Sequence, residues 1–160
     1  MNVRAFAAVA LVLTATDLSA EIAPSASVAA RTRGAGRVVV ARVADVHARF
    51  DSNRFGDQLI ISTAVLEVLE TLKGNPAATL LVAIEGGTVG DLTLKVSDLP
   101  TVSAGERAVF FLDASGATHV PHERGRGILK LSAADRVEGT AVTLDSIRQQ
   151  VRSAVSEAGN

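Results

Sequence analysis

The chain has 160 residues, a formal charge of -1 from 16 basic and 17 acidic side chains, and no cysteine. That length fits one hydrophobic core, and the near-neutral balance gives no electrostatic reason to bind nucleic acid or an anionic membrane. The missing thiols exclude a disulfide framework, a lipid-anchored cysteine, a thiol nucleophile and a thiolate metal site.

Residues 1–20 have the order of a secretory signal peptide. Arg4 supplies a positive start, Ala5 to Leu13 an apolar run too short to span a bilayer, and Leu18 and Ala20 the -3 and -1 positions of a cleavage site. The expectation is an exported protein, periplasmic or secreted, cleaved near Ala20, with no membrane span in the mature chain. Glu21 to Gly36 is rich in Ala, Ser and Gly and reads as a flexible lead-in.

Order is expected from Arg37. Val38, Val40, Arg42, Ala44 and Val46 share one phase of a strand, and Val39, Ala41, Val43 and Asp45 the other. The density of β-branched residues argues for a strand. Turn chemistry follows in Asp51-Ser52-Asn53 and Gly56-Asp57. Asp57 to Gly74 begins as a strand at Ile60-Ile61-Ser62-Thr63. From Ala64 to Lys73 it fits either a continued strand or a helix closed by Gly74. As one strand it would run ~50 Å, so it must coil or carry a bulge.

Thr79–Glu85 and Arg107–Leu112 read as buried strands, and Leu92–Val96 alternates. Gly86-Gly87 and Gly90-Asp91 read as turns, and Asp98–Glu106 as a loop. Ala114–Gly127 reads as a polar loop, and Ile128–Leu131 as a short edge strand. Phe110 and Phe111 should face opposite sides of their strand. From residue 143 to 158 the period becomes helical. Leu144, Ile147, Val151, Ala154 and Val155 line one stripe, with Thr143 as N-cap and Gly159 as a stop. The fold expected is mostly β: a small OB-like Greek-key barrel of five to six strands over residues 37–131, with an amphipathic C-terminal helix packed on it.

The Val-rich strand Val38–Val46, the strand ending in Lys73-Gly74, and Gly105-Glu106 leading into Val109-Phe110-Phe111-Leu112 occur in an order that resembles the netrin-like barrel. That is the fold of the inhibitory domain of the tissue inhibitors of metalloproteinases. The layout is also similar to small exported bacterial proteins. The resemblance covers residues 37–131 and implies the barrel. It carries no inhibitory residues across, because those inhibitors act through an N-terminal cysteine and this chain has none.

Arg49-Phe50 and Arg54-Phe55 bracket the first inter-strand loop. An Arg beside an exposed aromatic could stack on a base, sugar or partner side chain. His119 and His122 with Glu123 could offer metal ligands, although the spacing is loose and Pro121 intervenes; a solvated loop is the better reading. Arg124-Gly125-Arg126-Gly127 reads as a mobile turn that could join a contact surface. No nucleophile–base motif, phosphate loop or cofactor signature is present. The reading is therefore a non-enzymatic binding module without cofactor or metal, whose partner is another exported protein. An inhibitor of an exported hydrolase, or a barrel binding oligosaccharide or single-stranded nucleic acid, are the alternatives.

Overall fold

A computed structural model describes residues 27–52 and 55–159. The signal-peptide reading, the cleavage site and Arg54 lie outside the described residues.

The two phases of the first strand are both apolar because each has a core to enter. In β1 (Arg37–Ser52), Val39, Ala41 and Val43 point into the barrel, while Val38 and Val40 point outward under a helix. β2 (Gln58–Lys73) is continuous strand to its end and pairs antiparallel with β1. The helical option for Ala64–Lys73 loses because every turn of it would break this ladder. Register shifts leave Ala44, Leu69 and Leu72 without partners. These bulges coil a hairpin too long to lie straight across a small domain. The shift at Ala44 also inverts the alternation, so that Val46 packs toward the interior alongside Val43.

β3 (Thr79–Glu85) pairs along its length with β2. A small hairpin of β4 (Gly87–Val89) and β5 (Leu92–Leu94) follows. Gly87 is required there because a Cβ would collide with Ser62 and Ala48. The residues expected to turn at Gly86-Gly87 thus form a close backbone crossing that opens a strand.

β6 (Arg107–Ser115) closes the ring against β1. Its other edge is shared: Leu112–Ser115 pair with β7 (Thr118–Pro121), and Arg107–Phe110 pair with β8 (Ile128–Leu131). β7 lies parallel to β3, which completes the ring β1-β2-β3-β7-β6. The result is a mostly β small barrel with a C-terminal helix.

Phe110 lies inside the barrel with Leu66, Val82 and Leu112. Phe111 lies outside it, beneath α2 (Leu144–Ala158), in a second core with Val109, Leu131, Ile147 and Val151. Each buried side chain of that size stabilises the fold by ~1.5–3 kcal/mol. Thr143 caps α2 by accepting from the Ser146 N–H at 3.2 Å. Arg148 fixes the helix to the barrel, donating twice to Glu70 at 2.9 and 2.7 Å.

The described part of the lead-in carries a helix, α1 (Val28–Gly34), which corrects the flexible reading for residues 28–34; residues 21–26 of that reading lie outside the described residues. Ser27 caps its start, accepting from the Ala30 N–H. Lys73 caps its end, donating to the carbonyls of Thr32 and Ala35 at 2.6 Å each. A cation among the last carbonyls of a helix satisfies their lone pairs and the helix dipole together. Gly74 (φ +91°) then turns the chain where the Gly36 carbonyl passes close by. The Lys-Gly ending of β2 is thus the dock of α1, and α1 packs in turn on α2.

Candidate functional site

A groove of about 330 Å³ crosses the outer face of the barrel. Beyond the Ala44 bulge, Arg49 and Asp51 point outward beside Ile61 and Thr63 of β2. β3 adds Ala83 and Glu85, and β7 adds Thr118 and Val120. Leu99, Glu123 and Arg124 close one end. The floor is therefore apolar or small, and the rim is charged.

The groove exists because the ring is barely closed there. β3 and β7 share the single pair Val82↔His119. Past that pair the groove is lined by Ala83, Ile84 and Glu85 on one side and Val120 and Pro121 on the other. Pro121 has no N–H with which to continue a ladder. A second cavity of about 330 Å³ lies at the inner mouth of the barrel, under the β4–β5 hairpin, and shares Ile84, Glu85 and Leu99 with the groove. Those three side chains form the partition between outside and inside.

Four carboxylates (Asp51, Glu85, Asp113 and Glu123) face two guanidinium groups (Arg49 and Arg124) around the groove, an excess of two negative charges. Arg49 donates to Asp51 at 2.9 Å, and this bond holds the Asp51 carboxyl below its ordinary range. Arg124 donates to Glu85 at 3.0 Å and to Asp98 at 3.1 Å. The bond to Asp98 is the larger cause of a rise in the Arg124 pKa and of a fall in that of Asp98. Glu123 and Arg124 both sit in the left-handed region, with φ of +50° and +59°. Two consecutive non-glycine residues there are costly, and such strain tends to gather at functional sites. Here it turns Arg124 across the groove end.

Arg49 and Phe50 do not act as one surface. Neighbours on a strand face opposite ways, so Arg49 looks into the groove while Phe50 follows Ala48 and Ile60 on the other face. Phe50 and Phe55 are exposed, at 57% and 68%. His119 is not on a solvated loop. It sits in β7 opposite Ala114, on the inward-facing side with Val82, and its Nδ1 is buried without a hydrogen-bond partner. The polar stretch misled because β6 and β7 meet in a tight hairpin around Gly116. His122 bonds Asp113 through Nδ1 at 2.8 Å, and its ring fills the space a Cβ on Gly34 would need. It thus ties α1 to the barrel beside the groove.

The RGRG segment is a packed 3₁₀ turn, Arg124–Gly127. A Cβ on Gly125 would strike the Asp98 carbonyl, and one on Gly127 the His122 backbone. Arg126 is exposed and does not line the groove. It faces Arg31, whose guanidinium lies 6.0 Å over the Phe111 ring with Nε and Nη1 buried and unpaired. Burial pulls the Arg31 pKa down, Glu123 opposes this and Arg126 adds to it.

Of the residues named from sequence, Arg49 and Arg124 meet at the groove, with His122 one hydrogen bond behind. Thr63, Ala83, Glu85 and Val120 carried no local signal, because only the barrel's closure assembles them. Among the described residues, no group of three or more His, Asp or Glu is placed to hold a metal ion, and no helix is long and apolar enough to cross a membrane. No protein-family model matches this chain, and no curated protein matches it.

Proposed function

We propose that this chain is an exported, non-catalytic binding module that holds part of another exported protein in the groove between β3 and β7. The observation that supports this reading is the groove itself: concave, floored by Ile61, Ala83 and Val120, and rimmed by charge. Binding sites commonly combine an apolar bed with a few placed polar groups. In OB-type barrels, which this chain resembles, the face of the second and third strands is also where ligands bind. The excess of carboxylates on the rim speaks against a phosphate backbone as occupant and favours a protein partner.

The test is retention. The purified chain, immobilised, is exposed to the envelope or culture-medium proteins of its native cell beside an Ala83→Arg variant. Specific protein retained by the parent and released by the variant supports the reading. Equal retention by both, or none by either, overturns it.

A further inference from the structure

A second ligand site, independent of the protein-binding groove, lies at the inner mouth of the barrel. We propose that the cavity under the β4–β5 hairpin binds a small anionic amphiphile, a straight-chain carboxylate of the size of octanoate.

The walls of this cavity of about 330 Å³ divide by exposure. Val46, Ile84, Val96, Leu99 and Val102 line it and are buried or half-buried, whereas Thr88, Lys95 and Thr101 line it and are exposed. Apolar side chains therefore form its depth and polar ones its mouth. Val46, Leu99 and Val102 pack against the barrel core while only partly covered. Two of the hydroxyls along the walls are already engaged. Ser62 Oγ donates to the Gly86 carbonyl at 2.6 Å, and Thr88 shares a hydrogen bond with Thr93 at 2.9 Å. The depth thus offers water few partners, which favours an apolar occupant. Mouths of β-barrels are common places for such ligands.

Charge then selects the head group. Glu85 and Lys95 are the charged residues that line the cavity. Glu85 is held by Arg124 at 3.0 Å, on the groove side of the partition. Lys95 has no carboxylate partner among the described residues, and the Thr101 hydroxyl has no hydrogen bond there. The mouth therefore presents one uncompensated ammonium and one open hydroxyl, both able to donate to a carboxylate. A cationic head would meet repulsion at the same place. Volume sets the length of the tail. At ~30 Å³ per non-hydrogen atom, as in liquid water, the cavity admits about ten of them, the size of octanoate.

The test titrates the purified chain with straight-chain carboxylates from butanoate to dodecanoate, followed by calorimetry and methyl NMR. Affinity should rise ~fourfold per methylene up to octanoate and then level off as the cavity fills. Methyl resonances of Val46, Val96 and Val102 should shift, and those of Ile61 and Val120 in the groove should not. Lys95→Met should weaken octanoate about tenfold or more and leave octanol unchanged. Val102→Trp should abolish binding; Thr101→Trp, at the exposed mouth, does the same if the first variant misfolds. Ala83→Arg, in the groove, should leave octanoate binding intact. Octylammonium bound as tightly as octanoate overturns the anionic ligand. Affinity that climbs at the same rate past octanoate, or shifts confined to the groove, marks general adsorption and overturns the site. No binding of any carboxylate at millimolar concentration overturns it outright and leaves the protein-binding groove standing.

Discussion

The two outer faces of this barrel are built from the same strands and have opposite fates. On one, Val38, Val40, Val109, Phe111 and Leu131 form a dry bed covered by α1 and α2. On the other, Thr63, Ala83, Glu85, Thr118 and Asp113 leave the surface open as a groove. β6 passes from one face to the other within two residues, from Phe111 to Asp113, and β1 does so between Val40 and Arg49. The outward phase decides: where it is continuously apolar it is covered by a helix, and where small or apolar residues alternate with charged ones it stays open. Stability should therefore sit on the covered side and recognition on the open side, and substitutions can separate the two.

The largest loss is expected from Phe111→Ala. It removes a fully buried ring from the covered side, which should cost ~3–5 kcal/mol in urea unfolding, with groove affinity unchanged in the fraction that stays folded. Lys73→Met strips the end of α1 of its cap. A cost of ~1–3 kcal/mol is expected, with faster amide exchange over residues 28–36 as the specific readout. Thr143→Ala should cost ~1 kcal/mol through the lost N-cap of α2, visible as a lower thermal midpoint.

On the open side, Thr63→Ala should leave stability within ~0.5 kcal/mol while changing partner affinity. A shift in the thermal midpoint as large as that of Thr143→Ala would break the comparison. The smallest effect is electrostatic. Arg124 depresses the pKa of Asp98 in the folded chain. The stability this contributes is present above the ordinary value of 3.8 and fades as pH falls through the lower folded value. Arg124→Gln should let the Asp98 carboxyl titrate closer to 3.8, followed by carbon-detected NMR, with little change in stability at neutral pH because the pair is solvated.

Much of the scaffold was legible from local pattern. Val and Ile density marked β1 to β3, the 3.6-residue spacing from Leu144 to Val155 marked α2, and Phe110-Phe111 announced two packing faces. α1 was hidden because it spans only seven residues, and its helical face of Val28, Arg31 and Thr32 carries one apolar side chain among polar ones. The signal was Ser27 as N-cap, which composition alone obscures. β7 was hidden by its shortness and its glycine flank. The groove was hardest to see. It gathers residues from position 49 to position 124, and its shape comes from a missing ladder between β3 and β7, a property no stretch of sequence displays by itself. Arg49 could be picked out, but which way it points depends on the bulge at Ala44.

That bulge has a consequence for how the chain can vary in length. It acts as a phase marker: every residue from Asp45 to Ser52 owes its side of the sheet to one unpaired alanine. Deleting Ala44 would turn this half of the hairpin inside out, sending Arg49 and Asp51 toward the interior and Phe50 into the groove. Insertions and deletions in β1 should therefore be tolerated in pairs, or at the hairpin tip, and rejected singly.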